Sequence, residues 1–244
     1  MKVISCTNEN ENITYENYDL LGEIKVSKSK KPKGIILVSF EYPPRRLTKT
    51  SDVVFKLAQH LTKQKVKTHV ITFDDWRSGT EVEKKIIVTR IPNHIPNNIS
   101  PFSTIMNLKP AYQSAITSVL QKEQIDVIHF FNWQTLPLLI PWGSSLDAAK
   151  MYTASSVQLT RDASSSPQND GIKKVEQKSL KELDFILADS IAVMKFLHND
   201  YEIDEKKVLL QPLIDINYSK NVYLIYQKMV EKAELKKEEK KGKK

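Results

Sequence analysis

The sequence predicts an α/β fold built on a doubly wound, mostly parallel sheet, and three observations carry that prediction. Gly34–Phe40 (GIILVSF) and Ile125–Phe131 (IDVIHFF) are apolar runs of strand length, as expected for strands buried on both faces. Segments with a helical apolar period separate such runs at intervals suited to β–α–β crossovers. At 244 residues, 40% of them apolar, the chain has enough core for one large α/β domain.

Residues 1–33 show no clear period and read as an N-terminal extension with a Lys-rich linker; the domain spans 34–217. After the strand at 34–40, Ser51 and Asp52 stand as N-cap candidates for a helix with the stripe Val53, Val54, Leu57, Ala58 and Leu61. Strands follow at 66–73 and 86–91, then a loop from Pro92 to Pro101. Residues 102–123 read as a helix interrupted at Pro110, before the strand ending at Phe131. A short helix broken by Pro141 and Gly143 is expected in 136–149, a strand at 150–155 and a Ser-rich loop at 156–170. Helix 171–182, strand 184–189, helix 190–201 and strand 207–211 complete the series. Residues 218–244 form a terminal helix and a Lys/Glu-rich tail, the helix carrying Val222, Ile225, Tyr226 and Met229 on one stripe. Right-handed crossovers place the loops after the parallel strands along one sheet edge, where ligands of such folds bind.

Composition narrows the function classes. No apolar run approaches the ~20 residues of a membrane helix, and the first residues lack a signal-peptide core, so a cytoplasmic protein is expected. One cysteine, Cys6, excludes an internal disulfide or a Cys-rich zinc site. His60 and His69 lack a third ligand at usable spacing, so no metal is expected, nor any cofactor. The formal charge of +8 is concentrated at the ends: +5 in residues 25–33 and +4 in 232–244, against −4 in 1–24. Charge placed this way suits solvated linkers better than a nucleic-acid surface. Glycine is scarce, six in all where average usage gives roughly seventeen.

The loop after the first strand reads Glu41-Tyr-Pro-Pro-Arg45-Arg-Leu-Thr48-Lys49-Thr-Ser-Asp52-Val-Val. A second strand ends in Asp74-Asp-Trp76-Arg, and another in His129-Phe-Phe-Asn132-Trp133. With Glu176, Ala188-Asp-Ser190 and the Lys207–Pro212 strand, the order resembles the Rossmann-like N-terminal domain of GT-B glycosyltransferases of the glycogen/starch synthase type. The resemblance covers about Gly34 to Asp215 and implies an NDP-glucose donor and an α-glucan acceptor. Two departures concern chemistry. Where that family has Gly-Gly, whose backbone N–H groups reach donor phosphates, this chain has Thr48-Lys49. Where it has a histidine–aspartate pair, this chain has Phe131-Asn132, which leaves His129 as a core histidine or a remnant. The chain also runs from Gln211–Asp215 straight into the terminal helix, at the point where the family links to its donor domain.

No catalytic residue is therefore assigned. Substrate-binding candidates are Glu41, Tyr42, Arg45, Asp52, Trp76, His129 and Trp133; Asp52 reads better as a helix cap, and the tryptophans as sugar-stacking or packing groups. The expected function is a glycosyltransferase-like, glucan-binding or regulatory subunit without catalysis of its own. Its partner would be a full-length glycosyltransferase or an α-glucan. The alternatives are the acceptor-binding half of a split enzyme whose donor domain is a separate chain, and a nucleic-acid or ribosome-associated protein using its Lys-rich ends.

Overall fold

The computed structural model describes residues 30–93, 100–162, 164 and 166–241. Most of the 1–33 extension, Cys6, the centre of the Pro92–Pro101 loop and the end of the tail lie outside the described residues. The strands are β1 (Gly34–Ser39), β2 (Lys67–Asp74), β3 (Gly79–Glu83), β4 (Ile86–Pro92), β5 (Val127–Phe131), β6 (Ala149–Ala154), β7 (Phe185–Ala188) and β8 (Val208–Leu210). They form one sheet in the order β3-β4-β2-β1-β5-β6-β7-β8. Every pairing is parallel except β3 with β4.

The helices are α1 (Lys49–Lys63), α2 (Pro101–Lys122), α3 (Gln158–Arg161), α4 (Pro167–Lys181), α5 (Ile191–Asn199) and α6 (Tyr218–Lys241). They cover both faces because successive strand residues point to opposite sides. On β1, Ile35 and Leu37 join a core with α1 and α6, while Ile36 and Val38 join the core under α2, α4 and α5. Gly34 starts β1 where a Cβ would overlap the Gln124 carbonyl oxygen. α6 buries Tyr218, Val222, Ile225, Tyr226 and Val230 against β5, β6 and α1, and seven residues, 211–217, separate it from β8. Among the described residues no helix is long and apolar enough to cross a membrane.

Several local expectations are corrected. α1 begins at Lys49, and its N-cap is Thr48, whose hydroxyl accepts from Thr50 N; Asp52 instead lies exposed in the first turn, 3.2 Å from Arg46. Ser51 is spent otherwise, its hydroxyl donating to the Arg45 carbonyl at 3.1 Å. α2 runs through Pro110 without a break, since that proline is on the solvent side, where water can serve the carbonyl it frees. α4 starts four residues before the expected 171 because Ser166 caps it and Pro167 suits its first position. In place of a broken helix at 136–149 are two 3-10 turns, Trp133–Leu139, which begins ahead of that segment, and Trp142–Ser145. β3 was not anticipated.

Candidate functional site

The C-terminal ends of β1, β2 and β5 converge at one stretch of the sheet edge, and Glu41 is its hub. The Glu41 side chain is buried, at 2% exposure. Its Oε2 accepts from Leu47 N at 2.8 Å and Thr48 N at 2.7 Å; its Oε1 accepts from the Thr48 hydroxyl and from Asn132 Nδ2 at 3.1 Å. A carboxylate that receives four donors is fully engaged, and these bonds are charge-assisted. The backbone donors of the segment entering α1 thus turn inward onto a carboxylate of the same loop. Thr48 has extended backbone, φ −134° and ψ 176°, so neither it nor Lys49, the first residue of α1, forms the left-handed loop that a glycine pair permits.

Asn132 locks the β5 end to this loop. Its φ of +65° and ψ of 143° fall in a region that side chains disfavour, at a cost of about 1–3 kcal/mol. The side chain over-determines it: Oδ1 accepts from Phe40 N at 3.3 Å and lies 3.0 Å from the Ser39 hydroxyl, while Nδ2 reaches Glu41. Sequence reading treated Asn132 as a degenerate position; the structure gives it a tethering role that only the contact across 91 residues reveals.

The flanking charges are also committed. Arg45 donates to Asp75 at 2.8 Å and to the Phe40 carbonyl at 3.0 Å, and its guanidinium lies 4.6 Å from the Phe73 ring centroid and 5.1 Å from that of Phe40. Asp74 accepts from Trp76 N and Arg77 N through Oδ1, and from buried Arg90 through Oδ2 at 3.2 Å. Arg90, which sequence reading missed, also bonds Glu81, Glu83 and the Pro43 carbonyl, tying the β1 loop to β3. Nothing in its local sequence marks it apart from a charge inside an apolar strand.

The remaining candidates separate. Tyr42 is fully buried against Phe55 and presents no surface to a ligand; burial pushes its hydroxyl pKa up. The physical reason is that Glu41 and Arg90 pull both ends of its loop down onto the sheet. His129 is likewise fully buried, its Nδ1 2.5 Å from Tyr226 Oη of α6 and its Nε2 2.8 Å from Thr153 Oγ1, which continues to Tyr218 Oη at 2.8 Å. Burial holds its pKa well below the usual imidazole value, so the ring stays neutral. Phe131 is enclosed beside it, with ring centroids 3.9 Å apart. Trp133 is half-buried and covered on one face by Arg161, 4.8 Å from its centroid, which leans on buried Glu176. Trp76 stands apart at 95% exposure on a turn pinned by Asp74.

Chemically the edge offers partnered carboxylates, an enclosed neutral imidazole and an exposed indole. Proton transfer through Glu41 or Asp74 requires breaking bonds that hold the edge loops, and His129 is bonded on both ring nitrogens, to Tyr226 and Thr153. No group of three or more His, Cys, Asp or Glu side chains is placed to hold a metal ion among the described residues.

Residues 51–217 match the family model for Glycosyltransferase Family 4. Solved structures of similar fold include two of sucrose-phosphate synthase from Thermosynechococcus elongatus. One is 14% identical over 82% of this chain and 98% of that chain, with TM-score 0.59. The other is 15% identical over 74% and 48%, also with TM-score 0.59. The catalytic domain of starch synthase IV from Arabidopsis thaliana, bound to ADP and acarbose, is 13% identical over 73% and 51%, with TM-score 0.56. At these identities the likeness is one of fold, and the chain spans about half the length of the two longer structures. No curated protein sequence matches the chain.

Proposed function

The chain belongs to Glycosyltransferase Family 4, and from that premise we propose that it binds an α-glucan at its C-terminal sheet edge without transferring sugar to it, serving a catalytic glycosyltransferase as a regulatory or glucan-holding subunit. One observation carries the reading: Leu47 N, Thr48 N and the Thr48 hydroxyl are all consumed by Glu41. The segment entering α1 then has those donors turned away from any donor phosphate, and Thr48 and Lys49 add side chains where close backbone approach needs none. The enclosure of His129 and Phe131 supports the same conclusion for acid–base chemistry. A saccharide surface remains in the exposed, backbone-pinned Trp76, whose indole face suits the C–H face of a sugar ring.

Retardation of the purified protein in glycogen-containing native gels tests this. Retardation by glycogen that falls several-fold in Trp76→Ala is expected. Unretarded wild-type protein would sink the glucan-binding reading.

A second reading has its own support. Ile191, Ile214 and Ile216 are exposed by 40, 78 and 97% at the β7–β8 end of the same edge. Ile191 and Ile214 line one recess there, and such an apolar surface fits contact with a protein partner, which favours a split enzyme whose donor domain is another chain. That reading predicts nucleotide-sugar turnover only when the two chains are mixed, and loss of the complex in Ile214→Asp/Ile216→Asp.

A further inference from the structure

A recess of about 460 Å³ lies on the flank of the β1 loop, between the Pro43-Pro44 turn, α1 and the β3–β4 hairpin. Its walls are Pro43, Pro44 and Phe55, and Arg46, Arg77 and Lys84 stand around it. Glu83 also faces it, but that carboxylate is bound to Arg90 Nη2 at 2.5 Å. The three cations are held loosely by comparison. Arg46 meets Asp52 at 3.2 Å with both side chains more than half exposed, and Arg77 meets Glu81 only at 3.9 Å. Ion pairs this exposed are weak, so an incoming anion competes for these cations at small cost.

The hairpin supplies an independent observation. Lys84 and Lys85 form its two-residue turn at φ +49° and +71°. Such turns need left-handed backbone at both positions, and Asn-Gly adopts it with least strain. Lysine is disfavoured there by its Cβ. The chain nonetheless keeps lysine at the position whose Nζ lies 5.7 Å over the Phe55 ring, on the recess wall. The contact with the Phe55 ring offsets part of that cost and holds the amine on the recess wall, where an incoming anion can meet it. The backbone that carries Arg77 is likewise fixed, through its N–H bond to Asp74 at 3.1 Å.

We propose that this recess binds an anionic saccharide, a sugar ring bearing a phosphate or carboxylate group. The anion is met by Arg46, Arg77 and Lys84, and the apolar face of the ring packs on Pro43, Pro44 and Phe55. The volume lies in the range of small-ligand sites and suits one or two sugar units. This site is separate from glucan binding at Trp76 and stands whether or not that reading holds.

Calorimetric titration of the full chain with glucose 6-phosphate, glucuronate, glucose and inorganic phosphate tests the assignment. At least one of the two charged sugars binds, about tenfold or more tighter than inorganic phosphate, and glucose gives no heat at the same concentrations. Equal affinity for inorganic phosphate, equal affinity for glucose, or no binding by either charged sugar overturns it. The double substitution Lys84→Asn/Lys85→Gly installs the preferred turn while removing the amine. It raises Tm by a few degrees and weakens the charged sugar about tenfold, the equivalent of one charge-assisted hydrogen bond. Arg77→Gln, at an exposed position, weakens it similarly with Tm unchanged. Undiminished affinity in both variants refutes the site.

Discussion

Glu41→Gln changes one oxygen of a buried carboxylate into an amide nitrogen and leaves the shape of the side chain intact. In the wild-type loop that carboxylate accepts from Leu47 N, Thr48 N, the Thr48 hydroxyl and Asn132 Nδ2. Glutamine keeps one acceptor oxygen and turns an NH₂ group toward two of those donors. Two bonds are then unmade and the other two lose their charge assistance. At about 1.5–3 kcal/mol for a bond to a charged group, the two lost bonds alone put the expected loss at about 3–6 kcal/mol, and the weakening of the other two adds to it. For a chain of this size that is a fall in Tm of about 6–24 °C or more, and a corresponding fall in the urea midpoint. Asp52→Asn, at an exposed ion pair of the same loop, is the control and changes stability by no more than about 0.5 kcal/mol. A Glu41→Gln protein within about 1 kcal/mol of wild type would refute the claim that the loop is built around this carboxylate. It would also free Glu41 for proton transfer at the edge.

Two further outcomes concern the underside of α6. Tyr226→Phe leaves His129 Nδ1 buried without its partner and destabilises by about 1–3 kcal/mol, read by thermal unfolding. Acidification acts on the same contact. His129 has its folded pKa held well below the ordinary value of 6.5, so below pH 6.5 the unfolded chain binds a proton that the folded chain refuses. Stability therefore falls as pH drops from 6.5 toward the folded pKa, by up to about 1.4 kcal/mol per pH unit from this group, and is unaffected by it above about pH 7.5. His60, also lowered by burial, adds a smaller contribution of the same sign where its ring meets Tyr223. Urea midpoints at pH 5, 6, 7 and 8 check this; a flat profile contradicts it.

Much of the fold was legible because burial on both faces writes itself into β1 and β5 as largely apolar runs, broken in β5 by His129. β3 was not, for the opposite reason. Gly79-Thr-Glu-Val-Glu83 is an exposed edge strand whose one large apolar residue, Val82, is 71% exposed, and its turn is Lys-Lys in place of Asn-Gly. The start of α1 was ambiguous between cap-forming residues, since Thr48, Ser51 and Asp52 all qualify. Tertiary contacts chose, with Arg45 taking Ser51 and Glu41 taking Thr48. The start of α4 was misplaced at 171, although Ser166-Pro167 carries the cap signal that sets it. In the site, the order of motifs along the chain was visible, and so was the Thr48-Lys49 departure. Side-chain direction was not. Tyr42 beside two prolines looks like a surface loop residue, yet it is pulled into the core. The Glu41–Asn132 and Arg161–Trp133 contacts join residues far apart in sequence, and no local pattern announces either.

The most direct test of the central claim is release of nucleoside diphosphate by the purified chain, given ADP-glucose or UDP-glucose together with glycogen. The account predicts no release above the no-protein control, both for wild type and for Thr48→Gly/Lys49→Gly. Glycogen-dependent release by the wild-type chain alone contradicts it.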